Sequence, residues 1–162
     1  MRIKIKRAKE NDIKAIGKLN EECFSAHKGN LKKAILWIKS NFRAYPRMQY
    51  FVAENEKKEI VGYILWMEKG GFRKEAVWEL EQIGVTAPYR GQGIGTKLII
   101  ESLKKIKQYL KKQNRKLKLI LVSTGAENDA QRLYKKTLKA KPECKIKDLF
   151  RGDELIMVSR NP

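Results

Sequence analysis

Between positions 90 and 96 the chain reads Arg90-Gly91-Gln92-Gly93-Ile94-Gly95-Thr96, three glycines in five residues ahead of a long apolar periodicity. Glycine lets a backbone approach a ligand closely and turn its N–H groups inward. With a helix starting behind such a loop, unsatisfied N–H groups and the positive end of the macrodipole face one point, which makes an anion cradle. A phosphate belongs there; a plain strand-to-helix turn is the alternative that the loop alone leaves open. Two familiar phosphate patterns fail on these residues. A P-loop needs G-x-x-x-x-G-K-[ST], but Thr96-Lys97 stand in reversed order and no glycine occupies the earlier place. A dinucleotide fingerprint needs G-x-G-x-x-G, and Thr96 stands where its last glycine belongs. What remains is [QR]-x-x-G-x-[GA], directly after a strand-like run ending Ile83-Gly84-Val85.

Ahead of the loop, Glu79 and Glu81 lie two apart in an extended run, so alternation puts both carboxylates on one face, about 7 Å apart at ~3.3 Å per residue. A carboxylate with a raised pKa can serve as a general base, worth roughly 10²–10⁴ in rate. Lining an open face or pairing with surface lysines is the other reading. Tyr134, in Ala130-Gln131-Arg132-Leu133-Tyr134, sits on an apolar stripe, where a tyrosine by position alone reads as core. The single histidine, His27, reads as a solvated loop residue. Cys23 and Cys144 are far apart with no C-x-x-C, so neither a disulfide framework nor a zinc site is indicated, and no metal is expected.

The elements that must carry these residues follow from periodicity. Ile3 and Ile5 alternate with basic residues as a short strand, and Ile13, Ile16, Leu19 and Cys23 recur at helical intervals. Leu31, Ala34, Ile35, Ile38 and Phe42 form a second amphipathic stripe that ends near Tyr45-Pro46. Tyr50 to Ala53 and Ile60 to Met67 read as a hairpin, and Ala76 to Val85 as a third extended run. Behind the glycine loop, Leu98, Ile99, Ser102, Leu103, Ile106 and Leu110 line a long helix. Leu117 to Val122 is a buried strand, Ala130 to Leu138 a helix, and Lys145 to Phe150 pairs with Glu154 to Val158 across Arg151-Gly152-Asp153. Trp37, Trp66 and Trp78 fall in apolar segments and read as core.

The composition bounds the partners. With 162 residues, 37 Lys+Arg against 18 Asp+Glu and a net charge of +19, the chain is expected to form one domain over residues 1–162. The charge attracts polyanions and disfavours free polyamines as substrates. Nine basic residues against one acid between Lys97 and Lys118 read chiefly as a solvated helix face, and leave nucleic acid open as a partner. No apolar h-region opens the chain and no run nears the ~20 residues that cross a bilayer, so a cytoplasmic protein without a membrane partner is expected.

The stretch Trp78 to Val85 followed by Pro88-Tyr89-Arg90-Gly91-Gln92-Gly93-Ile94-Gly95 resembles the acetyl-coenzyme A loop of the GNAT superfamily of N-acetyltransferases. The resemblance extends over most of the chain and implies an α/β (α+β) domain with a mixed, mostly antiparallel central sheet flanked by helices. It implies that backbone groups of Ile83, Gly84 and Val85 pair with the pantetheine arm of acetyl-CoA. The amides of Arg90, Gly91, Gln92, Gly93, Ile94, Gly95 and Thr96 would hold its pyrophosphate. By the same resemblance Glu79 or Glu81 takes a proton from the acceptor amine, and Tyr134 protonates the departing thiolate. A phenol suits that task because a pKa near ~10 keeps it protonated at neutral pH. Two departures from the family pattern stand out: Glu127 occupies the usual asparagine position, with Asn128 one place later as the pantetheine contact, and Leu138-Lys139 replaces the usual Gly-Phe. The implied activity is acetyl transfer from acetyl-CoA to a primary amine, borne by a small molecule or by a protein N-terminus or lysine. A non-catalytic module that binds acetyl-CoA or nucleic acid, and a homodimer, remain open.

Overall fold

The computed structural model describes residues 2–160 and 162. Among the described residues seven strands, β1 (Lys4–Arg7), β2 (Met48–Glu54), β3 (Ile60–Lys69), β4 (Glu75–Val85), β5 (Lys116–Gly125), β6 (Lys141–Ile146) and β7 (Glu154–Arg160), combine with four α-helices. These are α1 (Ile13–Cys23), α2 (Leu31–Arg43), α3 (Ile94–Lys111) and α4 (Ala130–Leu138). The strands are hydrogen-bonded in the order β1-β2-β3-β4-β5-β7-β6, with β4 and β5 parallel and β1–β2, β5–β7 and β6–β7 antiparallel. This is the mixed, mostly antiparallel sheet flanked by helices that the sequence implied. Contacts group the residues into two compact units, one running up to Trp66 and resuming over Gln82–Leu103, the other comprising Met67–Glu81 and the chain from Lys104 onward.

In the first unit the periodic apolar residues of α1 and α2 bury Ile16, Leu19 and Ile38 against Tyr50, Val52, Tyr63 and Leu65, alternate positions on one face of β2 and β3. Full burial of such a side chain contributes about 1.5–3 kcal/mol. Asn30 starts α2 by accepting from the Lys33 N–H at 2.9 Å, a cap worth ~1 kcal/mol. The opposite face of β3 takes the first half of α3. There Trp66 Nε1 donates to Ser102 Oγ at 2.8 Å, and Ser102 Oγ donates to Leu98 O at 2.6 Å.

In the second unit Ala76, Trp78 and Leu80 are buried and alternate with half-buried Val77, Glu79 and Glu81. Trp78 meets Tyr109 of α3 edge-on, with ring centroids 6.1 Å apart. Just beyond α3, Arg115 forms an ion pair with Glu68, the two side chains 7% and 1% exposed, and its Nε donates to Arg73 O at 2.8 Å. The end of α3 is thereby tied to the turn that follows β3. The parallel ladder between β4 and β5 runs from Glu75–Lys116 to Glu79–Leu121 and stops there, whereas β5 continues to Gly125 along β7.

In the elements and the core the structure corrects the sequence reading at two places. The final hairpin is formed by Lys141–Ile146 rather than Lys145 to Phe150, because Lys139 caps α4 in the left-handed region (φ 56°) and turns the chain straight into β6. Pro142 interrupts the strand pattern in the sequence but is tolerated, since β6 is an edge strand and the missing N–H is not needed on its outer side. Trp66 and Trp78 are fully buried as expected, but Trp37 is 41% exposed because Ala34 and Ile38 take the buried side of α2. Lys104, Lys105, Lys107 and Lys111 are exposed along α3, as a solvated face requires, and Lys112 just beyond it is exposed too. Among the described residues no helix is long and apolar enough to cross a membrane.

Candidate active site

The loop behind β4 belongs wholly to the first unit. Gly91 and Gly93 adopt φ of 75° and 80°, values that side-chain-bearing residues avoid, and open space lies where a Cβ would be. α3 begins at Ile94, and the Lys97 N–H closes onto Gly93 O at 3.0 Å. The amides of Ile94, Gly95 and Thr96 precede that bond and point out of the helix N-terminus. With the helix dipole they present donors and positive potential at one point.

The stem of the loop is braced by a residue that sequence reasoning missed. Glu22 Oε2 accepts from Thr86 Oγ1 and Glu22 Oε1 from the Ala87 N–H, both at 2.7 Å, with Arg90 Nη2 3.6 Å from Oε1. Arg90 Nε donates to Val85 O at 2.8 Å, and Gln92 Nε2 to Pro88 O at 2.9 Å. Both long side chains thus fold back onto the loop's own stem, so Arg90 and Gln92 offer a ligand their amides. Asn55 Nδ2 donates to Tyr89 OH at 3.1 Å and anchors the turn before the loop. Cys23 lies against the end of β4, 3.7 Å from Val85 O, and burial pushes its thiol pKa up against the opposing pull of Arg90. A Cβ at Gly84 would stand 3.2 Å from Cys23 Sγ and 3.3 Å from Tyr63, so glycine is needed there for close approach.

The carboxylates and the tyrosine belong to the second unit. Glu79 is paired with Lys69 at 2.9 Å. Glu81 lies near both, and burial first, then the Glu79 charge, raise its carboxyl pKa, with Lys69 partly opposing. The two glutamates predicted to share a face are therefore electrostatically coupled, and Glu81 is the one inclined to hold a proton. Tyr134 is 6% exposed, and burial pushes its phenol pKa up to about 12, so it stays protonated at neutral pH. Asn128 uses its Oδ1 to accept from the Ala130 N–H at 2.9 Å at the start of α4, which leaves its amide N–H₂ for other partners.

His27 is corrected outright: it is not a solvated loop residue but is buried, with Nδ1 2.5 Å from Asn20 Oδ1. Asn20 Nδ2 donates to Tyr63 OH at 2.8 Å and to Gln82 Oε1 at 3.2 Å, and Tyr63 OH donates to Gln82 Oε1 at 3.1 Å. The only signal for this relay in the sequence is a polar Asn20 one place behind Leu19 on the inward side of α1.

A strand, a glycine loop and a helix whose first amides are unsatisfied, in this order of elements, suit the binding of an anionic group. The sequence model of the acetyltransferase (GNAT) family matches residues 13–139, and the chain belongs to that family. Solved structures agree on the fold. One is the NatC complex bound to Gag peptide and CoA (TM-score 0.77, 19% identity, 100% of each chain covered). A second is a Pyrococcus horikoshii protein (TM-score 0.74, 25% identity, 99% of each chain). A third is a spermidine N-acetyltransferase chimera from Vibrio cholerae (TM-score 0.75, 19% identity, 99% of this chain and 96% of that one). No curated protein sequence matches the chain.

Proposed function

We propose that the protein moves an acetyl group from acetyl-CoA directly to a primary amine within a ternary complex, the acceptor being a small molecule or a protein N-terminus or lysine. The observation that carries this reading is the loop at Gly91 and Gly93, both at positive φ, feeding the free amides of α3. Acetyl-CoA, when bound, supplies the thioester that the amine attacks. The amides of Arg90 to Thr96 hold the pyrophosphate, and backbone groups of Ile83, Gly84 and Val85 pair with the pantetheine arm. Val85 lies beyond the last β4–β5 pair, at Glu79–Leu121, and its N–H would be the donor for the thioester carbonyl oxygen. Asn128 contributes its free amide N–H₂ to the same arm.

An amine such as lysine, with a pKa near ~10.4, must lose a proton before it attacks. Glu81 suits that role better than Glu79: its raised pKa makes it the stronger base, whereas Glu79 is held by Lys69 and tunes Glu81 through its charge. Tyr134 donates its proton to the leaving thiolate. Acetyl-CoA titrated calorimetrically should bind saturably to the wild type and fail to bind Gly93→Glu, which sets a side chain and a negative charge in the cradle. Wild-type protein that takes up no acetyl-CoA would remove the basis of this reading.

A further inference from the structure

We infer that Gln82 reads the acceptor: a buried relay aims its carboxamide N–H₂ outward to bind an oxygen of a carbonyl or carboxylate beside the reacting amine. The acceptor is then an α-amino compound such as a peptide N-terminus or an amino acid, and not a polyamine. The inference rests on the acetyltransferase reading and assigns its acceptor class.

The Asn20 amide sets the direction of the relay: its oxygen faces His27, and its nitrogen faces Tyr63 and Gln82. A carboxamide oxygen only accepts, so His27 Nδ1, 2.5 Å from Asn20 Oδ1, carries the hydrogen. Asn20 Nδ2 has two hydrogens and spends them on Tyr63 OH and Gln82 Oε1. Tyr63 OH, having accepted, donates its own hydrogen to Gln82 Oε1. Both lone pairs of that oxygen are filled, so a flipped Gln82 would set its N–H₂ against the N–H₂ of Asn20. The two hydrogens on Gln82 Nε2 therefore point away from the relay, and no acceptor among the described residues takes them. Asn20 is fully buried and Tyr63 likewise, so the relay is held rigidly, whereas Gln82 is half-buried.

Position gives this donor its use. Gln82 stands in β4 between Glu81, the base, and Ile83–Val85, and burial ceases to alternate over Glu81, Gln82 and Ile83. A fixed donor beside the base favours an acceptor amine that carries an oxygen to receive it. Polyamine nitrogens, protonated at neutral pH, have only hydrogens to offer it. A net hydrogen bond of this kind is worth roughly 5–10-fold in binding.

The test measures acetyl-CoA-dependent thiol release with a short unblocked peptide, a free amino acid and spermidine, on wild type, Gln82→Met and Tyr63→Phe. The expected result is preference for the α-amino compounds over spermidine. KM for them should rise about 5–10-fold in Gln82→Met and less in Tyr63→Phe, with kcat held and spermidine KM unchanged. The peptide and amino acid arms distinguish the two sources of the same chemistry. Spermidine turned over as well as the α-amino compounds, or a Gln82→Met that lowers kcat for every acceptor with KM unmoved, overturns the inference and leaves the acetyltransferase standing. Thiol release with no amine at all overturns both.

Discussion

Replacing Arg115 by Met strips Glu68, whose side chain is 1% exposed, of the guanidinium it is paired with. Breaking one side of a buried pair costs about 3–5 kcal/mol, because the remaining charge stays in a poor solvent for it. The same change removes the 2.8 Å donation to Arg73 O and the packing of the guanidinium 5.6 Å above Phe72. A loss of about 4 kcal/mol is a large share of the ~5–15 kcal/mol that holds a domain folded. With a urea m-value of about 2 kcal/mol/M, the unfolding midpoint should fall by roughly 2 M. The companion variant Glu68→Leu/Arg115→Met removes both charges and keeps apolar volume, and should recover most of the loss, since well-packed apolar pairs replace buried ion pairs at little cost. Urea titrations followed by circular dichroism on the three proteins decide the matter. A single variant within ~0.3 M of wild type, or a double variant as weak as the single one, would refute the reasoning.

Tyr134→Phe should lower kcat by about 10²–10⁴ while acetyl-CoA titrates as in the wild type, the pattern of a lost proton donor. The rate should rise with pH as Glu81 deprotonates, from above the ordinary carboxylate range; Glu79→Gln removes a charge that raises Glu81 and frees Lys69, so its rise should move to lower pH. Glu81 also enters stability. Its pKa is higher folded than unfolded, so the folded state binds more protons and loses stability as pH climbs through that window. Glu81→Gln escapes this loss: it should be more stable than wild type at neutral pH and equal to it below about pH 4, as read from urea midpoints at the two pH values.

The order of elements and the glycine loop were legible because both rest on local rules: apolar period, glycines before a helix, a hairpin gap. α4 falls where its stripe put it, at Ala130–Leu138, and Glu79 and Glu81 share a face because strand alternation demands it. What stayed hidden depends on partners distant in sequence. Glu22 reaches 64 residues along the chain to Thr86, and nothing on α1 announces it. His27 is buried with its Nδ1 against Asn20 Oδ1, and a lone histidine beside Gly29 gives no such sign. The shift of β6 to Lys141–Ile146 turned on one left-handed residue, Lys139, a conformation that lysine does not advertise. The sequence pattern spoke only for the Arg90 amide, and the cap that its side chain places on Val85 O was hidden in it.

The halt of the parallel ladder at Glu79–Leu121 has a bearing on solvent exchange. From Val122 to Gly125, β5 keeps β7 on one side, so every amide turned toward β7 is locked in the antiparallel ladder. Amides of the same stretch turned the other way have no strand to meet. Deuterium uptake along β5 should therefore alternate residue by residue beyond Leu121 and be uniformly slow from Leu119 to Leu121, where both ladders run. A ligand that takes the place of the missing strand would erase the alternation, which makes occupancy of this edge readable without any chemical turnover.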